Sequence, residues 1–119
     1  MAVMPLIQIF TSATPDPAPR GALLSELSGA LAKHFGKPEQ YVMTCLVPGL
    51  SMTFSGTPAP TCFAAVKNIG KLTPDKSREL SSDLCASLAK GLGVPQDRIY
   101  IEFTDAIGYL WGHDGDTFG

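Results

Sequence analysis

Apolar positions recur along this chain with two alternating periods. Leu80, Leu84, Leu88 and Leu92 stand four residues apart, with Cys85 and Ala89 beside them, and so mark one face of a helix. Thr73-Pro74-Asp75 opens that helix with an N-cap hydroxyl, a proline at the first helical position and an acid in the first turn. Gly93 is placed to take the left-handed position after the helix, and Pro95 prevents continuation. An earlier stretch has the same grammar. Leu23, Leu24, Leu27, Leu31 and Phe35 form its stripe, Gly36 and Pro38 end it, and Thr14 or Asp16 can cap it amid Pro15, Pro17 and Pro19. Four short apolar runs flank the two helices and read as strands: Pro5–Phe10, Tyr41–Val47, Cys62–Lys67 and Arg98–Phe103.

The resemblance between the two halves is literal. Ser25–Leu46 reads onto Ser82–Phe103 without a gap at an offset of 57 residues, with identities at Leu27/Leu84, Leu31/Leu88, Ala32/Ala89, Lys33/Lys90, Gly36/Gly93 and Pro38/Pro95. One supersecondary unit has been used twice. Each unit is strand, helix, strand, and a right-handed crossover makes its two strands parallel. The expected architecture is α/β (α+β), with two β-α-β units forming a four-stranded mixed sheet covered by two helices. Two helices can cover one face only. Yet Leu6-Ile7, Val42-Met43 and Cys45-Leu46-Val47 place apolar residues on both faces, so the open face is expected to meet another subunit.

At 119 residues the chain reads as a single domain. Residues 5–48 form the first unit, 62–104 the second and 105–119 a C-terminal segment, with Met1–Met4 as an extension ahead of Pro5. The segments Leu50–Gly56 and Ile107–Gly119 have no repeat partner and are where function or assembly is expected.

Composition narrows the functional classes. The chain is 45% hydrophobic and 17% charged with a net charge of −2, and it has no Lys/Arg run to neutralise phosphates, which argues against nucleic acid. No apolar stretch approaches the roughly 20 residues of a membrane span, and Met1-Ala2-Val3-Met4-Pro5 lacks the pattern of a signal peptide. Cys45, Cys62 and Cys85 are odd in number without C-x-x-C spacing, and read as buried thiols of a reducing, cytoplasmic compartment. Release from the cell without a signal peptide stays open.

Differences between the copies are not demanded by the scaffold. Lys37 stands against Val94, Tyr41 against Arg98, Tyr100 against Met43, Glu102 against Cys45, and Pro5 against Cys62. On the repeat alone, Lys37 is a solvated charge after a helix and the tyrosines are strand aromatics. Pro5 adds chemistry. As an N-terminal residue it would be a secondary amine with a reference pKa of roughly 7.7–8.0, lowered by an apolar pocket or a nearby cation such as Lys37. Such an amine can take a proton from carbon next to a carbonyl. With residues attached ahead of it, the nitrogen is an amide and Pro5 is an ordinary strand-start proline.

Six segments resemble one family in order and spacing: Pro5-Leu6-Ile7, Gly36–Met43, Met52–Gly56, Asn68-Ile69-Gly70, Asp97–Ile101 and Trp111–Phe118. The family is that of macrophage migration inhibitory factor, in the tautomerase superfamily, and the chain looks most like its microbial members. The resemblance implies a homotrimer with active sites at subunit interfaces. It further implies cofactor-independent and metal-free keto–enol tautomerisation of small aromatic keto acids (phenylpyruvate and hydroxyphenylpyruvate, with dopachrome-type substrates in some members).

Carried over by position, Pro5 is the catalytic base and Lys37 binds the substrate carboxylate. Asn68 and Ile69 hold substrate through their backbone, and Tyr100 comes from the neighbouring subunit. Leu6, Tyr41, Trp111 and Phe118 are walls for an aromatic ring, although each could equally be core. Glu102, a further substrate-binding candidate, stands where vertebrate members carry asparagine, and its carboxylate could repel an acidic substrate or hold a protonated amine. His113 replaces a second aromatic, and the C-x-x-C of the animal cytokine is absent. The alternative implied function is a cytokine mimic or binding protein with weak or no turnover because Pro5 is blocked. Its partner would be a host receptor if the protein is secreted by a parasite or symbiont.

Overall fold

The computed structural model describes residues 5–70 and 72–119. The expected Met1–Met4 extension lies outside the described residues. Two strand–helix–strand units follow one another: β1 (Leu6–Thr11), α1 (Pro17–Phe35) and β2 (Met43–Val47), then β3 (Cys62–Ile69), α2 (Pro74–Leu92) and β4 (Ile99–Ala106). The sheet order is β2-β1-β3-β4. β1 runs parallel to β2, β3 runs parallel to β4, and the two units join antiparallel through β1 and β3. The first strands of the two units thus lie side by side at the centre of the sheet.

The helix signals act as read. The Thr73 hydroxyl accepts the Lys76 N–H at 3.1 Å, whereas Asp16 occupies the N-cap of α1 without a side-chain bond. Gly36 and Gly93 both take left-handed conformations, at φ of 60° and 70°, which lets the chain leave each helix without a Cβ penalty. The core lies between helices and sheet. Leu27 and Leu31 from α1, and Leu80, Leu84 and Leu88 from α2, pack with Ile7, Ile9, Ala64 and Val66, all fully excluded from solvent.

Strand ends differ from the expectation. Tyr41 closes a 3-10 turn (Glu39–Tyr41), Arg98 closes another (Gln96–Arg98), and β2 and β4 begin only at Met43 and Ile99. A proline-led turn winds the chain once before extension resumes in both repeats, so apolar and aromatic content alone overstated the strands. At their far ends β3 reaches Ile69 and β4 reaches Ala106, beyond the expected Lys67 and Phe103. Of the three cysteines only Cys62 is buried, while Cys45 and Cys85 are half-buried, and all are free. Cys45 alternates onto the open face and Cys85 onto the edge of the helix stripe, which is why neither is enclosed.

Alternation along the strands leaves one face of the sheet open. Leu6 and Phe10 of β1, Met43 and Val47 of β2, Phe63 and Ile69 of β3 and Tyr100 of β4 all lie on it. Met43 is 55% exposed and Tyr100 is 65% exposed. Such a surface is more apolar than water-facing sheets usually carry.

Candidate active site

Pro5 immediately precedes β1 and its ring is buried. Its carbonyl accepts the Met43 N–H at 3.1 Å, which ties the start of β2 to the start of β1. The segment leading into Met43 is therefore held at the same end of the sheet. Lys37 follows the left-handed Gly36, its N–H bonded to Ala32 O at 2.9 Å, and Tyr41 N–H bonds Pro38 O at 3.1 Å. Both side chains are half-buried.

On the other side of β1, Leu6 pairs with Lys67. One further step along β3 brings Asn68 level with Pro5, followed by Ile69. Asn68 is 4% exposed, and its Oδ1 has no hydrogen-bond partner among the described residues. An unpaired buried carbonyl of this kind costs about 1–3 kcal/mol, a burden more often found at functional positions than in plain core.

The C-terminal segment closes over this end. After β4 the chain turns at Gly108–Leu110 and forms a small hairpin of β5 (Gly112–His113) and β6 (Asp116–Thr117). Its two turn residues, Asp114 and Gly115, have φ of 51° and 77°, the type I′ pattern that suits a two-residue hairpin. Phe118 N–H is shared between Gly108 O at 3.1 Å and Trp111 O at 3.2 Å, and its ring stacks on His113 with centroids 5.6 Å apart. A Cβ on Gly108 would lie 2.7 Å from Phe118 O, so only glycine permits this closure. Trp111 then walls a cleft of about 410 Å3 with Leu6, Lys67, Ala106, Leu110 and Gly112.

Pro5, Leu6, Lys37, Tyr41, Asn68, Ile69, Trp111 and Phe118 thus gather at one end of the sheet. Tyr100 and Glu102 do not join them. Tyr100 pairs with Phe63, five residues down β3 from Asn68, a separation of roughly 17 Å at strand rise. Glu102 pairs with Ala65 in mid-sheet on the open face. The Tyr100 ring instead meets Phe54 edge-on at 4.9 Å. Arg98 fixes that contact: its guanidinium lies 5.3 Å from the Phe54 ring centroid and donates to the carbonyls of Phe54, Thr57, Ala59 and Pro60.

Sequence reading passed over Lys67, Phe54 and Arg98's clamp. Lys67 was detectable, because its repeat partner is Phe10 and a cation opposite a phenylalanine is a departure from the scaffold. Cys62 is no candidate nucleophile: burial, with a smaller contribution from Cys85, pushes its thiol up to about 12. A surface hollow of about 790 Å3 lies on the outer face of the helices around the 2.6 Å His34–Asp83 pair. It is open and lined mainly by polar and charged side chains, and carries no convergent chemistry. Among the described residues no group of three or more His, Cys, Asp or Glu side chains converges as a metal site. None of the described helices is long and apolar enough to cross a membrane.

Comparison with known proteins decides the family. The family described as macrophage migration inhibitory factor (MIF) matches residues 4–119. The chain belongs to that family. The MIF of Meriones unguiculatus is 39% identical over 115 residues, covering 97% of this chain and 99% of the relative. The crystal structure of an MIF homologue from Prochlorococcus marinus superposes with a TM-score of 0.90 at 49% identity, covering 96% of this chain and 99% of that one. The Toxoplasma gondii MIF gives a TM-score of 0.90 at 33% identity, with 95% and 99% covered. Two helices over a four-stranded mixed sheet, the architecture the repeat implied, is the tautomerase fold that the resemblance implied. Members of the MIF family are generally tautomerases and typically oligomeric.

Proposed function

We propose that this chain is a cofactor-independent keto–enol tautomerase of phenylpyruvate-type acids, with Pro5 as general base once its nitrogen is a free amine. The observation that carries this reading is the position of Pro5. It is a buried proline at a strand start, at the one end of the sheet where Lys37, Asn68, Ile69 and Trp111 also gather. Burial and the neighbouring cations lower the basicity of a terminal amine, so that a useful fraction is neutral near pH 7.

The neutral amine takes a proton from the carbon beside the ketone, and the electron pair of that C–H bond becomes the C=C bond of an enolate. Lys37 holds the substrate carboxylate, and the backbone at Asn68 and Ile69 orients it. The enolate oxygen then gains a proton, and Pro5 returns its own to solvent, so the sum is an isomerisation. Leu6, Tyr41, Trp111 and Phe118 form the walls for the ring.

The same reading makes the active assembly a homotrimer, in which a neighbouring subunit supplies Tyr100 and Glu102. The apolar open face of the sheet supports it. A reducing, cytoplasmic location goes with it, supported by three free cysteines. Replacing Pro5 with Gly in a chain whose mature start is Pro5 tests the assignment: phenylpyruvate enolisation should fall by about 10²-fold or more. Turnover unchanged by Pro5→Gly would remove Pro5 from the mechanism.

A second reading concerns a chain that keeps residues ahead of Pro5, as the full sequence does. Its Pro5 nitrogen is an amide, and the protein is then a binding member of the family with little turnover. Saturable binding to a receptor ectodomain that Pro5→Gly leaves intact would distinguish it.

A further inference from the structure

Lys67 lines the cleft walled by Leu6 and Trp111, and the function proposed above gives it no task. It stands on the open face of β3, directly opposite Leu6 on β1 and Thr104 on β4. Leu110, Trp111 and Ala106 surround it with apolar surface. The side chain is half-buried, and none of the ion pairs among the described residues includes it.

The acids on the flanking strand form no ion pair with Lys67 among the described residues. Asp105 alternates to the helix side, where its Oδ2 accepts the Leu72 N–H at 3.3 Å. Glu102 lies level with Ala65, two residues down the strand from Lys67's partner Thr104. An ammonium in an apolar cleft with no counter-ion among the described residues of its own chain attracts anions more strongly than one in open water, because less solvent screens it.

Lys67 and Lys37 lie on different sides of β1. Lys67 belongs to β3, and Lys37 precedes β2, with β1 between them. Two inter-strand spacings separate β2 from β3, about 10 Å in all. One cation can hold the carboxylate beside the reacting ketone, while the other faces the far end of a ring-sized molecule.

Resting on the tautomerase reading, we infer that Lys67 sets specificity: the site prefers 2-keto acids that carry a second anionic group at the far end over acids ending in a neutral aryl ring. The chain starting at Pro5 is assayed with phenylpyruvate and with 4-carboxyphenylpyruvate, alone and as Lys67→Met and Lys67→Arg. KM for the carboxylated acid should be about tenfold lower than for phenylpyruvate, with kcat within about twofold. Lys67→Met should abolish that difference and Lys67→Arg should keep it.

Calorimetric binding of terephthalate against benzoate reads the same preference without turnover. If no keto acid is turned over but terephthalate still binds more tightly through Lys67, the base assignment fails and the anion site stands. Equal KM for both acids overturns the inference, as does a preference that survives Lys67→Met. A preference that appears only after Glu102→Gln overturns it too, since Lys67 would then be neutralised by Glu102 of a neighbouring copy.

Discussion

Tyr100 and Pro5 lie at opposite ends of the same sheet. Tyr100 pairs with Phe63 at the start of β3, and Pro5 lies level with Asn68 near its end. The intervening strand, roughly 17 Å long, exceeds the reach of a tyrosine side chain. Tyr100 is held where it is by the Phe54 edge contact and, behind that, by Arg98. A tyrosine acting at Pro5 must therefore act at the Pro5 of another chain.

Mixing two crippled proteins tests this arrangement. Pro5→Gly and Tyr100→Ala subunits, each nearly inactive alone, should regain activity when unfolded together and reassembled. Random assembly pairs an intact Pro5 with an intact Tyr100 in about a quarter of the sites. Recovery of that order, measured as phenylpyruvate turnover, marks sites shared between subunits. No recovery means that each chain works alone.

Gly108→Ala should injure the site while sparing the core. The added Cβ would meet Phe118 O at 2.7 Å, within backbone that cannot yield cheaply. The C-terminal hairpin is then displaced, and with it the Trp111 wall of the cleft. KM for an aromatic acid should rise several-fold, while the melting temperature falls by only a few degrees.

How much of this was legible in the sequence follows from what each signal reports. Four-residue leucine spacing and the Thr73-Pro74 and Gly93-Val94-Pro95 punctuation act through local geometry, so α1 and α2 emerge where expected. The repeat exposed the pairing of units because a duplicated β-α-β has few ways to close. Tyr41 and Arg98 were misplaced in strands, since a 3-10 turn of three residues leaves no periodic trace. The placement of Lys37, Asn68 and Trp111 at the same end of the sheet as Pro5 depends on how distant segments pair, which local pattern does not report. Lys67 escaped because a single lysine in a strand looks like a solvated charge until its register neighbour is known to be Leu6.

Packing between helix and sheet dominates stability. Leu84 is fully buried among Leu27, Leu80 and Leu88, and Leu84→Ala should cost about 2–5 kcal/mol. Thr73→Ala removes only the cap to Lys76 and should cost about 1 kcal/mol. Denaturant midpoints at one fixed chain concentration compare the two, since association also stabilises.

Cys62 couples stability to alkaline pH. Burial holds its thiol protonated up to about 12, against an ordinary value of 9.0 in the unfolded chain. The contribution is therefore complete below pH 9 and is lost as pH rises from there toward 12, because only the unfolded chain gives up the proton. The stability difference between wild type and Cys62→Ala should narrow between pH 8 and pH 10.5 in thermal melts. A constant difference across that range would show that the thiol is not shielded.

The state of the Pro5 nitrogen decides the account. Two preparations suffice, one beginning at Pro5 and one with Met1–Met4 attached, each verified by intact mass and assayed for phenylpyruvate enolisation under identical conditions. Rapid turnover by the first and a loss of about 10²-fold or more in the second is the expected result. Equal turnover by both would contradict it, because an amide nitrogen cannot serve as the base.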